Sequence, residues 1–159
     1  MSYATLPASL DELPAQARAL VAGESNRIAN LANVAALVFH ALDDVNWAGF
    51  YLRDEVRNEL VLGPFQGKPA CIRIPWGRGV CGTAAATATV QRIADVHAFE
   101  GHIACDPDSR SELVIPLIDQ GDVVGVFDLD SPTIDRFSER DAQVLAAVAA
   151  VLDTAVKTV

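Results

Sequence analysis

Positive charge is scarce in this chain: 12 lysines and arginines stand against 21 aspartates and glutamates among 159 residues, a formal net charge of -9. The acids are spread along the sequence rather than gathered in a tail. That balance excludes a nucleic-acid backbone or an anionic membrane as partner and favours a small cationic or zwitterionic ligand. Long apolar runs are missing too. The most apolar stretch, Ala142 to Leu152, is too short to cross a bilayer, and the opening MSYATLPASLDELP has neither the basic start nor the apolar core of a secretory signal. The expectation is a cytoplasmic protein. Cysteine is sparse and odd in number, at Cys71, Cys81 and Cys105, with no CxxC pair. In a reducing compartment such thiols do chemistry or nothing, rather than staple a fold. No twelve-residue calcium loop occurs, so no metal or cofactor is expected.

The length suits one domain over residues 1–159, with a single core. Ser9-Leu10-Asp11-Glu12 matches a capping box, and the helix it opens runs to Val21, before Gly23. A second helix over Ser25 to Leu42 carries Ile28, Leu31, Val34, Ala35, Val38 and Leu42 on one stripe. The period then changes to two. Trp47 to Leu52 and Glu59 to Leu62 form an antiparallel hairpin, and Cys71 to Ile74 is a third strand. Trp76 to Gly79 turns into an alanine-rich helix over Val80 to Thr89, followed by a strand over Val90 to Ile93. The closing elements are strands over Ser111 to Ile118 and Asp122 to Asp130, then a helix capped by Ser138 with Asp141 three residues on. Its stripe of Ala142, Leu145, Ala149, Leu152 and Val156 suits core packing; a homodimer face is the alternative use. The fold class is α+β: an antiparallel sheet with helices covering a face.

Two stretches carry the chemistry. Ala94 to Arg110 has neither helical nor strand period, and loops this long in compact domains are functional or disordered. Val96, Phe99, Ile103 and Ala104 give it something to bury, which argues for order. It contains Cys105, His97 and His102, the right atoms for zinc but at no common zinc spacing. The other stretch is the last hairpin. A three-residue turn at Asp119-Gln120-Gly121 would face Ile118 with Asp122, Val114 with Val126 and Glu112 with Asp128, Asp130 sharing that side. Three carboxylates would then line one end of a face whose inner part, Val114, Val124 and Val126, is apolar. A two-residue turn at Gln120-Gly121 is the competing register, and it would send Glu112 to the opposite face from Asp128. Clustered acids repel and hold protons unless a cation, such as a ligand ammonium, neutralises them. By local electrostatics Cys81 is the better thiolate, in the first turn of a helix beside Arg78, whereas Cys105 sits among acids.

The stretches NWAGFYL (Asn46 to Leu52), LVLGPFQGKPAC (Leu60 to Cys71), GRGVCGTAA (Gly77 to Ala85), GHIACD (Gly101 to Asp106), SELVIPL (Ser111 to Leu117) and GVFDLDSP (Gly125 to Pro132) together resemble the free methionine-(R)-sulfoxide reductases, enzymes built on a single GAF domain. The departure is Glu100, where the family pattern has a proline. The resemblance implies a GAF sheet with N- and C-terminal helices on one face and a loop-built pocket on the other. It implies that Cys105 attacks the sulfoxide sulfur and becomes a sulfenic acid, that Cys71 condenses with it to a disulfide, and that thioredoxin reduces the product. Cys81 matches the third family cysteine, assisting recycling or dispensable. Glu112, Asp128 and Asp130 would hold the ammonium and engage the sulfoxide oxygen, and Trp47 would pack on the methylthio end. Where the resemblance and the local electrostatics disagree, Cys105 is taken as nucleophile and Cys81 as second choice. The rival readings are a GAF sensor of small molecules or oxidants, for which this length leaves no room for an output domain, and a reductase of protein-bound sulfoxide, against which a carboxylate cluster suited to a free ammonium argues.

Overall fold

The computed structural model describes residues 9–153; the N-terminal eight residues and Val156 of the last helical stripe lie outside it. Six strands form one antiparallel sheet in the order β3-β2-β1-β6-β5-β4, over Trp47–Asp54 (β1), Glu59–Gly67 (β2), Arg73–Pro75 (β3), Gln91–Ile93 (β4), Ser111–Asp119 (β5) and Asp122–Ser131 (β6). Helices α1 (Leu13–Val21), α2 (Arg27–Ala41) and α4 (Glu139–Leu152) pack together on one face, and α3 (Gly79–Thr87) lies on the other with the long loop.

The helical face is closed by apolar packing. Leu31, Val34, Ala35 and Val38 of α2 are fully buried, as the stripe requires, and Phe50 of β1 stacks on Phe127 of β6 with ring centroids 4.6 Å apart. Ile28 departs from the stripe: it is 56% exposed, because it falls in the first turn of α2, beyond the edge of the covered surface. The Ser9 capping box does not form, since the chain enters α1 through a 3-10 turn at Leu10–Glu12 and the Ser9 side chain makes no capping bond. At α4 the box forms in full: Ser138 Oγ accepts from the Asp141 N–H while Asp141 accepts from the Ser138 N–H. Leu145, Ala149 and Leu152 are buried inside the chain, with α4 packed on α1 and β5. These three residues of the stripe therefore serve core packing, the first of the two uses expected for it.

The β5–β6 hairpin differs from the expected register. Asp119 pairs with Asp122, so the turn is the two-residue one, with Gln120 and Gly121 at φ 52° and 90° in the left-handed geometry that matches strand twist. Ile118 pairs with Val123, but Leu117 pairs with Gly125, so β6 carries one extra residue, Val124. This bulge returns the strands to the even phase: Glu112 faces Asp130 and Val114 faces Asp128. The register is thus two residues from the expected one, and the three acids share a face after all. Val124 is the casualty, packing among the helices while Val123 takes its place on the pocket side.

Candidate active site

Alternation along four adjacent strands builds the floor. Trp47 pairs with Asp130, Asp130 with Glu112 and Glu112 with Ile93, giving one row across four strands; Gly49, Asp128, Val114 and Gln91 form the next. Gly49 leaves a gap in the second row, where an added Cβ would lie 2.7 Å from the Trp47 ring. Into that gap the aromatics close up: Trp47 stacks on Phe65 at 5.3 Å and on Tyr51 at 5.8 Å. Tyr51 was not singled out from sequence, although its position four residues after Trp47 on a strand already places both on one face. The two polar tips hold the edge of the pocket. Trp47 Nε1 donates to the Lys68 carbonyl at 3.1 Å and the Tyr51 hydroxyl to the Cys71 carbonyl at 2.9 Å.

The roof is the loop over 94–110, which is ordered by local caps rather than by secondary structure. Asp95 accepts from the His97 N–H, Asp106 accepts from the Asp108 N–H, and the Val96 N–H reaches the Arg110 carbonyl at 2.8 Å. Val96 is fully buried and Phe99 and Ile103 are half-buried, as expected; Ala104 is exposed instead. Ile103 packs against Gly79 at the start of α3. At φ 63°, and with Ile103 3.1 Å from where a Cβ would stand, position 79 admits only glycine without displacement of the loop.

The loop carries Cys105 to Cys71, and the two are joined in a disulfide with a Cα–Cα distance of 5.4 Å. Lys68 spans the same gap, pairing with Asp108 at 2.6 Å and Asp106 at 3.8 Å. Both sulfur-bearing segments border a cavity whose walls include Trp47, Tyr51, Cys81, Glu112, Asp128 and Asp130. Trp47, Cys81, Cys105, Glu112, Asp128 and Asp130 line it, while Cys71 lies behind the wall, bonded to Cys105. The histidines separate: His102 lines the cavity with Nε2 3.7 Å from Glu112 Oε2, whereas His97 is exposed and pairs with Asp95. The two imidazoles therefore do not join Cys105 in a ligand set.

Electrostatics on this floor are governed by burial. Glu112 and Asp128 are 6% and 5% exposed, and desolvation raises the pKa of both. Glu112 is pushed well above the carboxylate range by burial and then by the charges of Asp128 and Asp130; Asp128 moves least, to about 6; Asp130 rises through burial, then Asp128 and Asp106. Like charges this near cannot all ionise together. Asp128 is the one suited to carry the charge at neutral pH, with Glu112 retaining a proton. Asp128 Oδ1 is buried and has no hydrogen-bond partner. Tyr51 is also raised by burial and then by Asp128. Desolvation pulls the His102 pKa down.

Cys81 reverses the expectation from its helix. It is buried at the α3 N-terminus with its Sγ 3.8 Å from Glu112 Oε1, and burial, then Asp128, Glu112 and Asp130, push its thiol well up. Arg78, the residue expected to lower it, is exposed and caps nothing with its side chain. A one-turn proximity in sequence does not fix which way a long side chain points, and here the acids decide.

Comparison with known proteins follows the same line. The GAF domain family model matches residues 26–156. The free methionine-R-sulfoxide reductase of Escherichia coli (strain K12) is 54% identical over 140 residues, 88% of this chain and 84% of that protein. That of Saccharomyces cerevisiae is 41% identical, covering 91% and 83%. The X-ray structure of the free methionine-R-sulfoxide reductase of Neisseria meningitidis in complex with its substrate has a TM-score of 0.93 at 44% identity, covering 98% of this chain and 95% of that one.

Proposed function

The chain belongs to the free methionine-R-sulfoxide reductases, a GAF-domain family, and from that premise we propose that it reduces free methionine (R)-sulfoxide to methionine with its own cysteines as the electron source. The observation that carries the reading is the pairing of Cys105 with Cys71 at the border of a pocket floored by the buried Glu112 and Asp128 and the half-buried Asp130. No structural role calls for such a floor, because buried like charges destabilise a fold unless something binds them.

The geometry divides the substrate. The ammonium goes to the ionised Asp128, whose free Oδ1 lacks a partner, with Asp130 beside it. The sulfoxide oxygen takes a hydrogen bond from the protonated Glu112, which polarises the S–O bond. The methylthio end packs on the Trp47 and Tyr51 rings, a contact that sulfur beside an aromatic favours by about 0.3–1.5 kcal/mol. In the reduced protein Cys105 Sγ attacks the sulfoxide sulfur. The S–O bond breaks, methionine departs with two more electrons, and the oxygen remains on Cys105 as a sulfenic acid bearing the proton that the thiol supplied. Cys71 Sγ then attacks the Cys105 sulfur, the hydroxyl leaves as water with the Cys71 proton, and the disulfide forms. An external dithiol of the thioredoxin class returns both thiols. Cys81, sealed against Glu112, takes no part in this first sequence.

The test mixes reduced protein with free (R)-sulfoxide, free (S)-sulfoxide and a peptide carrying the (R)-sulfoxide, and counts thiols and methionine. Two thiols lost per methionine formed, with the free (R) compound alone, is the expected result. Loss of thiols to peroxide but to none of the sulfoxides would make the protein an oxidant sensor; turnover of the peptide would move the substrate class to proteins.

A further inference from the structure

Cys81 is left without a task by the mechanism above, yet it stands where two sheet carboxylates converge. We propose that Cys81, Glu112 and Asp128 form a binding site for a thiophilic divalent cation of the zinc class. One ligand atom from each, the Cys81 Sγ and one oxygen of each carboxylate, lies within 4.8 Å of the other two, and all three residues are buried. The Cys81 Sγ to Glu112 Oε1 distance is 3.8 Å. A tetrahedral ion with S and O bonds of about 2.3 and 2.1 Å requires sulfur-to-oxygen spans of about 3.6 Å, so the Cys81–Glu112 pair needs little closing. A second observation points the same way: Asp128 lines the cavity, and its buried Oδ1 has no hydrogen-bond partner. Chain spacing does not reveal this set, because the ligands come from α3, β5 and β6, and Cys81 and Glu112 are 31 residues apart.

The sulfur sets the class of ion. Magnesium and calcium take oxygen ligands, whereas zinc, cadmium and cobalt accept a thiolate with carboxylates and leave a fourth position for water. Binding releases the Cys81 and Glu112 protons to solvent and leaves a thiolate and two carboxylates around a dication. The ion occupies the carboxylates assigned above to the substrate, so the site acts as an inhibitory one, and amino acid and metal exclude each other. This last point rests on the reductase reading; the metal site itself does not.

The experiment is a cobalt(II) titration of the reduced full-length protein without oxygen, followed by the thiolate-to-cobalt charge-transfer absorption. The expected result is one equivalent bound with that absorption present, retained in the Cys71→Ser/Cys105→Ser double variant, abolished in Cys81→Ala and weakened at least tenfold in Asp128→Asn. Excess magnesium leaves the band in place, and zinc removes it. A band that survives Cys81→Ala, one that disappears in the double variant, or none in the wild type overturns the proposal. Should Cys81→Ala fail to fold, Asp128→Asn with all thiols intact decides, and an unchanged affinity there overturns it. Methionine displaces the cobalt if the carboxylates are also the ammonium site; a band present but indifferent to methionine refutes that substrate assignment and leaves the metal site standing.

Discussion

The two faces of the sheet spend burial in opposite ways. On the helical side Phe50, Leu113, Ile115, Phe127 and Leu129 meet α2 and α4 through hydrocarbon alone, and burial there is stabilising at about 25 cal/mol per Å². On the other side the same strands present Glu112, Asp128 and Asp130, whose burial costs stability and is repaid only when a cation or proton arrives. Successive residues of one strand, Leu113 beside Glu112 and Leu129 beside Asp128, thus serve opposite ends. Fold and reactivity are separated by a single step along the backbone.

That separation can be broken from either side. The largest effect is expected from Cys105→Ser, which should lower single-turnover formation of methionine to about one thousandth of wild type or less while leaving the melting temperature of the reduced protein nearly unchanged. Glu112→Gln should reduce kcat by about 10²- to 10⁴-fold, the range of a lost proton donor, with a smaller change in KM; steady-state kinetics separate the two. On the opposite face, Leu145→Ala in fully buried surroundings should cost about 2–5 kcal/mol by urea unfolding and leave kcat of the folded fraction intact. If Leu145→Ala cuts kcat as deeply as it cuts stability, the two faces are not independent.

Acidity sharpens the contrast further. A carboxylate whose folded pKa lies above its unfolded value favours folding at low pH, fully below the unfolded value and progressively less as pH rises through the folded one. For Asp128 the window runs from 3.8 to about 6. Asp128→Asn should therefore gain about 1–3 kcal/mol relative to wild type between pH 4 and pH 7, read from melting curves across that range, and a gap that does not widen with pH removes the electrostatic account. The smallest effect belongs to Lys68→Ala. Lys68 and its nearer partner Asp108 are largely exposed and Asp106 is 3.8 Å away, so stability should fall by less than about 1 kcal/mol, and the loss should vanish in high salt.

Much of this was legible in the residues. The helix at Ser138 and the strands at Trp47 and Ser111 follow from capping and alternation, which are local. The gathering of Glu112, Asp128 and Asp130 was legible as well, but through a register that the molecule does not use: a bulge is a choice between two hydrogen-bonding partners, and the apolar run Val123-Val124 reads the same with or without it. The direction of the Arg78 side chain, the descent of Cys81 onto Glu112 and the arrival of His102 at the same carboxylate depend on how loop and helix dock, for which a chain has no local sign. Tyr51 had such a sign, in its alternation with Trp47 across Gly49.

The bulge at Val124 has a consequence for how this hairpin can change over time. Beyond it, toward the tip, the pairing is odd; before it, toward the acids, it is even. Val124 is the residue without a partner, so losing it would close the ladder and leave Leu117 facing Gly125 and Glu112 facing Asp130, whereas losing one residue between Gly125 and Asp128 would turn Asp128 and Asp130 in among the helices and Leu129 into the pocket. Two residues lost or gained at the tip would change nothing below. A single-residue loss is therefore absorbed at the bulge and nowhere else along β6, a rule that surviving variants should obey.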